Sequence, residues 1–285
     1  MFGSHLSIAG GLHNALLAAR KLGCDCLQVF TKNQRQWVAS PLADPAVRTW
    51  DEHRRTAGIE HILSHDSYLI NLAADAGDIR SRSLTAFRDE IERCEKLGIG
   101  LLVTHPGCHT GQGEAQGLRR VIQAIDHVHT ELPGYKTITC LENTAGQGSS
   151  LGHRLEHLRT ILEAVKEPQR LAVCIDTAHS LEAGYDLTSA AGTQAFLQEL
   201  DEVLGLERVR AIHINDSKTP RGSRVDRHAH IGHGHIPLEV FATVVNHPVL
   251  SRVPKVLETP KEKAPDGRDW DEVNLQVLRG LVQER

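Results

Sequence analysis

Apolar and polar positions along this chain fall into two alternating kinds of block. Short runs rich in Val, Ile and Leu read as strands, and longer stretches with apolar residues three or four apart read as amphipathic helices. After GSHLS, residues Leu12, Leu16, Ala19 and Leu22 share one helical face and lead into CLQVF. Leu84, Phe87, Ile91 and Cys94, spaced three, four and three, predict a helix ahead of LLVTH. Leu155, Leu158, Leu162 and Val165 repeat that spacing before AVCID. Phe241, Val244 and Val245 precede KVLE, and Trp270, Val273, Val277 and Leu281 predict a closing helix. Eight β units, each followed by a helix, run through residues 1–285 without a Pro/Gly/Ser-rich linker, so one domain is expected. Eight βα units in about 250 residues fit a (β/α)8 TIM barrel, with a doubly wound open sheet as the competing fold.

The strand-like runs share a second property. From residue 61 onward, HILSH ends on His65, LLVTH on His105, TITCLE on Glu142, AVCID on Asp176 and KVLE on Glu258, while RAIHIND carries His213. Taken singly, each of these residues reads more often as a core histidine or a helix cap than as a ligand. Together they place metal-binding side chains at one end of successive strands, and a barrel gathers such ends at the C-terminal mouth where a metal site can form. An open sheet would spread them along an edge. Two loop pairs extend the set: His179 lies three residues after Asp176 in CIDTAH, and Asp226 and His228 lie two apart in VDRH. Nine His, Asp and Glu donors exceed the three or four protein ligands that one catalytic zinc takes, and predict two or three ions. His5, His109, His153, His157, His230, His233 and His235 read as structural or surface residues, with the HxH pair His228 and His230 as a weaker alternative.

Composition changes this picture little. The 18 His outnumber Phe, Trp and Tyr together, which suits metal or proton chemistry. No apolar run reaches the ~18 to 20 residues of a membrane span, and the N-terminus lacks a signal-peptide pattern, so a cytoplasmic protein without a membrane partner is expected. Six Cys without a CxxC pair read as reduced structural thiols. A formal charge of −4 argues mildly against a nucleic-acid partner, but three bound divalent ions would bring the balance to +2.

The segments SHDSYLINLA, LENTAGQGSSLG, CIDTAHSLEAGYD, HINDSK with GSRVDRH, and FTKNQRQW resemble the signature segments of endonuclease IV-type apurinic/apyrimidinic (AP) endonucleases. The resemblance implies a TIM barrel with three Zn²⁺ ions, Mn²⁺ being an alternative, that cleaves duplex DNA on the 5′ side of abasic sites. It also implies that His65, His105 and Glu142 hold one ion, and that Glu142 bridges to a second held by Asp176, His213 and Glu258. The third ion falls to His179, Asp226 and His228. Glu142 and Glu258 are the expected catalytic carboxylates, orienting a water that paired zincs ionise. Arg35, Tyr68 and Leu69 are the expected DNA-binding residues, entering or wedging the stack near the lesion. Lys32, Lys218, Arg221, Arg224 and Arg227 are candidate phosphate contacts, with a solvated loop face as the alternative for each. A monomer is expected, because the DNA face must stay open. Two departures from the family pattern stand near the third ion's segment: Gly232-His233-Gly234 in place of Gly-Glu-Gly, and Ala178 in place of Cys. The rival readings are a metal-dependent sugar isomerase or epimerase on a similar barrel, and a non-catalytic DNA-damage binder that uses zinc only to fold.

Overall fold

Strand β1 (Phe2–His5) pairs in parallel with β2 (Cys26–Val29), and the ladder continues through β3 (His61–His65), β4 (Leu101–Thr104), β5 (Ile138–Glu142), β6 (Leu171–Asp176) and β7 (Val209–His213). After β7 the chain makes an excursion in which β8 (Asp216–Ser217) and β9 (His228–Ala229) pair antiparallel. It returns as β10 (Lys255–Leu257), which pairs with both β7 and β1 and closes the barrel. The computed structural model describes residues 1–283. The expected TIM barrel is therefore present, and the open sheet is not. The β8–β9 pair lies outside the eight expected strand units.

Alternation along each strand separates two layers. Cys26, Leu63, Val103, Cys140, Ala172, Cys174, Ala211 and Val256 fill the barrel interior. Their neighbours Leu27, Leu102, Leu141, Val173 and Ile212 face outward into the larger core beneath the helices. The interior is narrow, and most of its residues are Cys, Ala or Val. A Cβ on Gly3 would stand 1.8 Å from the carbonyl oxygen of Cys26, which fixes glycine there. All six Cys are free thiols, as read from the sequence.

The outer ring consists of α1 (His13–Lys21), α2 (Asp44–Ala57), α3 (Asp78–Leu97), α4 (Glu114–Glu131), α5 (Leu155–Ala164), α6 (Thr177–Ala183), α7 (Ala190–Leu204), α8 (Leu238–Asn246) and α9 (Trp270–Gly280). On α3, Phe87, Ile91 and Leu97 are fully buried, each contributing roughly 1.5 to 3 kcal/mol of transfer free energy. Helix α9 is the closing helix expected, but its packing is not the apolar stripe alone. Its buried face is Asp271, Asn274, Leu275 and Leu278, whereas Trp270, Val273 and Val277 are only half-buried. Two polar residues on the packed face displaced the hydrophobic pattern: Asp271 accepts from Ser4 and Lys261, and Asn274 donates to Thr259. No helix among the described residues is long and apolar enough to cross a membrane.

Candidate metal centre

All eight barrel strands run the same way, so their C-terminal ends meet at one mouth, and the nine expected donors converge there. Local sequence positions each donor. His65, Glu142, Asp176 and His213 are the last residues of their strands, and His105 and Glu258 follow directly on β4 and β10. Asp176 also caps α6: its Oδ1 accepts from the backbone N–H of His179 at 2.9 Å. That cap sets His179 one turn above the strand end. The β8–β9 pair brings His228 back over the mouth, with Asp226 just before it.

Glu142 lies at the centre. Its Oε2 stands 3.2 Å from His65 Nε2 and 3.1 Å from His105 Nε2; its Oε1 stands 2.8 Å from His213 Nδ1 and 3.3 Å from His179 Nδ1. Glu258 Oε2 lies 3.2 Å from His213 Nδ1. His179 Nε2 faces Asp226 Oδ2 at 3.4 Å, and His228 Nε2 faces Asp176 Oδ2 and Asp226 Oδ1 at 3.5 and 3.6 Å. Three groups of donors, each within 4.8 Å, follow: His65, His105 and Glu142; Glu142, Asp176, His213 and Glu258; Asp176, His179 and His228. Most of the set is buried, while Asp226 keeps 47% of its side chain exposed and His105 30%.

The arrangement fits metal ions on two observations. Four of the five rings have one nitrogen tied to a neighbouring oxygen, leaving the other aimed inward. His65, His179 and His228 do so through Nδ1 on the carbonyls of Asp66, Asn143 and Glu258, at 2.8, 2.9 and 3.2 Å. His213 does so through Nε2 on Gln28 Oε1 at 2.8 Å. This outer support fixes tautomer and ring direction in metal-ligating histidines. The second observation is that His228 Nε2 is buried without a hydrogen-bond partner among the described residues.

Protons and cations compete for these groups. Burial alone would strip His65 of its proton, but the Glu142 carboxylate outweighs it and raises the ring to about 10. Against the same desolvation, His213 and His105 hold Glu142 well below the usual carboxylate range, and His179 brings Asp226 down to about 2. Cys174 also lies beside Glu142 and His213. Burial pushes its thiol far up, so it stays protonated and is a poor ligand.

Several residues around the site were not anticipated. His5, read as structural, ends β1 against Glu258, with Nδ1 3.1 Å from Oε1. Gln28 donates to that same oxygen at 2.7 Å. Both sit on β1 and β2, the two strands ahead of the run of strand-end donors that begins at His65. Asn215 donates to Asp176 Oδ2 at 2.7 Å and accepts from the Glu258 backbone N–H at 2.7 Å. Asp66, buried and raised by desolvation to about 7, accepts from Thr104 at 2.5 Å.

The remaining candidates divide. Tyr68 is 65% exposed, Leu69 is half-buried and Arg35 is exposed. The Tyr68 ring lies 5.6 Å from that of His65 and stands between two cavities. One, about 680 Å³, is lined by His5, Phe30, Arg35 and Glu258; the other, about 270 Å³, by His65, Asn71, His105 and Cys108. Lys32 is a correction. It is buried in ion pairs with Asp89 at 2.6 Å and Glu90 at 3.4 Å, so it does not reach a phosphate. Lys218, Arg221, Arg224 and Arg227 are exposed, Arg221 pairing with Asp186 at 3.3 Å. His233 is exposed with its ring 4.9 Å from Trp270, away from the nine donors, and Ala178 is fully buried in α6. A depression of about 690 Å³ opens at the opposite mouth, over the strand N-termini, and contains none of the nine donors.

Known proteins share this organisation. The xylose isomerase-like TIM barrel family matches residues 16–280. A D-tagatose 3-epimerase-like protein has a TM-score of 0.73 at 17% identity, covering 98% of this chain and 96% of its own, a likeness of fold alone. Endonuclease IV from Thermus thermophilus has a TM-score of 0.85 at 33% identity, covering 98% of each chain. A probable endonuclease 4 from Geotalea daltonii is 47% identical over 99% of this chain and 98% of its own. Identity of that order over nearly the whole chain shows that the chain belongs to the endonuclease IV family of the xylose isomerase-like TIM barrels.

Proposed function

We propose that the protein is a zinc-dependent DNA-repair endonuclease that hydrolyses the phosphodiester bond 5′ to abasic sites in duplex DNA. The products are a 3′-hydroxyl and a 5′ deoxyribose phosphate. One observation carries the reading: the donor groups overlap, sharing Glu142 and Asp176, so the cluster suits several neighbouring cations better than one. His65, His105 and Glu142 would hold the first ion; Glu142, Asp176, His213 and Glu258 the second; His179, Asp226 and His228 the third. Bound Zn²⁺, or Mn²⁺ in its place, supplies a nucleophile near neutral pH and positive charge for the phosphoryl oxygens.

The chain's own groups position the reaction. Gln28 and His5 occupy Glu258 Oε1, which leaves Oε2 facing the cluster. Glu142 and Glu258 orient the attacking water from two sides. Tyr68 fills the gap at the lesion with Leu69 behind it, and Arg35 contacts the strand along the larger cavity. An abasic nucleotide costs least to unstack, which favours it as the target. Lys218 and Arg224 contact backbone phosphates. The protein works as a monomer with this face open. A sugar epimerase needs fewer ions and a closed polar pocket, whereas here an exposed tyrosine stands between two open cavities. The reading is tested by the ends produced from a duplex with one abasic analogue. A polymerase extends the cut strand if a 3′-hydroxyl was made, and turnover of a ketohexose without incision overturns the proposal.

A further inference from the structure

Glu182 has no part in the nine-donor set, yet it is fully buried beside it. It lies on α6 three residues after His179, so the two side chains project from the same face of the helix. Its two oxygens have different surroundings. Oε1 accepts from Ser217 Oγ at 2.6 Å, from Thr219 Oγ1 at 3.3 Å and from the Arg227 backbone N–H at 3.2 Å. Oε2 is buried and has no hydrogen-bond partner among the described residues. An unmet carboxylate oxygen in the interior carries a full desolvation cost, and such a group is retained where something compensates it. A ligand atom of Glu182 lies within 4.8 Å of one on His179 and one on Asp226. Donors about 2 Å from a shared ion stand up to about 4 Å apart, so the three groups are spaced close to what one ion requires.

We infer that Glu182 is a tenth metal donor, joining His179, Asp226 and His228 on the third ion through Oε2. The inference rests on the three-ion reading. Two neutral imidazoles and two carboxylates then surround a divalent ion, which balances its charge and completes four protein ligands. The hydrogen bonds on Oε1 hold the carboxylate in place, and the Arg227 N–H among them ties it to the segment that carries Asp226 and His228.

The test uses zinc-loaded full-length protein and Glu182→Gln. Glutamine keeps an oxygen for Ser217, Thr219 and Arg227 but replaces the free oxygen with an amide that does not bind zinc well. Metal content and release into a chelator are followed at neutral pH. The expected result is that one ion of three leaves at least tenfold faster from the variant, the other two leaving as in the parent protein. Three ions released identically from both proteins overturn the role of Glu182 and leave the three-ion reading intact. A parent protein that binds two ions or fewer overturns both. If Glu182→Gln also lowers the melting temperature after zinc is stripped, Ser217→Ala separates the roles. It removes a hydrogen bond to Oε1 but keeps the carboxylate, so three tightly held ions are expected. Loss of an ion from Ser217→Ala as fast as from Glu182→Gln shows the contact to be structural.

Discussion

The side-chain oxygen of Gln28 accepts a hydrogen bond from His213 Nε2 at 2.8 Å, so the imidazole presents Nδ1 to the carboxylates of Glu142 and Glu258. The same amide donates to Glu258 Oε1 at 2.7 Å. One residue therefore orients two of the nine candidate donors, His213 and Glu258. Outer partners of this kind typically set about 10- to 100-fold in metal affinity or activity. Gln28→Ala is expected to weaken retention of one zinc about tenfold or more while the fold persists, read by competitive chelation beside circular dichroism. Unchanged zinc retention would remove the role.

Zinc loading should release protons. Glu142 raises His65 to about 10, so near neutral pH a cation at that ring displaces a proton. Zinc affinity is then expected to fall as pH falls, with net proton release at pH 7 in calorimetric titrations run in buffers of different ionisation heat. A titration that releases no protons contradicts this. The sign for stability is opposite in zinc-stripped protein: the raised pKa of His65 contributes fully below pH 6.5, and the contribution is lost as pH rises through about 10.

A second source of acid sensitivity lies outside the nine candidate donors. His129 is buried on α4 with Nε2 3.0 Å from Thr139 Oγ1. Desolvation, reinforced by the Arg170 charge, lowers its pKa from 6.5 to about 4. Between those values the unfolded chain binds a proton that the folded chain excludes, so stability falls as pH drops from 6.5 to about 4 and levels off below. His129→Gln is expected to flatten that part of the dependence of melting temperature on pH. Parallel curves for the two proteins would exclude His129 as the cause.

Tyr68 is a proposed DNA contact outside the set of candidate metal donors. It is exposed, stands between two cavities and holds no position among the donors. Stacking by one aromatic side chain is worth about 1 to 3 kcal/mol per base, so Tyr68→Ala should bind an abasic duplex roughly tenfold to a hundredfold more weakly. Its zinc content should match the parent's. Equal affinity in a gel-shift or anisotropy titration would assign Tyr68 to packing.

The residues that were legible in the sequence are those where chemistry interrupts a pattern. His65, Glu142 and Asp176 stand out because each ends an apolar run, and the run itself predicts the strand that carries it. Gln28 was hidden for the opposite reason. Inside CLQV a polar residue reads as the outward side of an alternating strand, yet it is fully buried toward the barrel mouth. Lys32 misled because a cation in a polar loop reads as solvated. Its partners, Asp89 and Glu90, lie on α3, nearly sixty residues away, and only the fold brings them together. Asp271 and Asn274 shifted the packed face of α9 in the same way, by hydrogen bonds that hydrophobic spacing does not register. Glu182 was passed over because a glutamate on a short helix looks solvent-facing until β8 and the segment before β9 cover it.

The central claim is that this cluster hydrolyses DNA at abasic sites. The most direct measurement is incision of a labelled duplex bearing one abasic analogue by protein of known zinc content, with His179→Ala alongside. The account predicts a single cut 5′ to the lesion, absent from the undamaged duplex and reduced at least a hundredfold in the variant. Zinc-replete protein that leaves the abasic duplex intact, or a His179→Ala protein that cuts as fast as the parent, would contradict it.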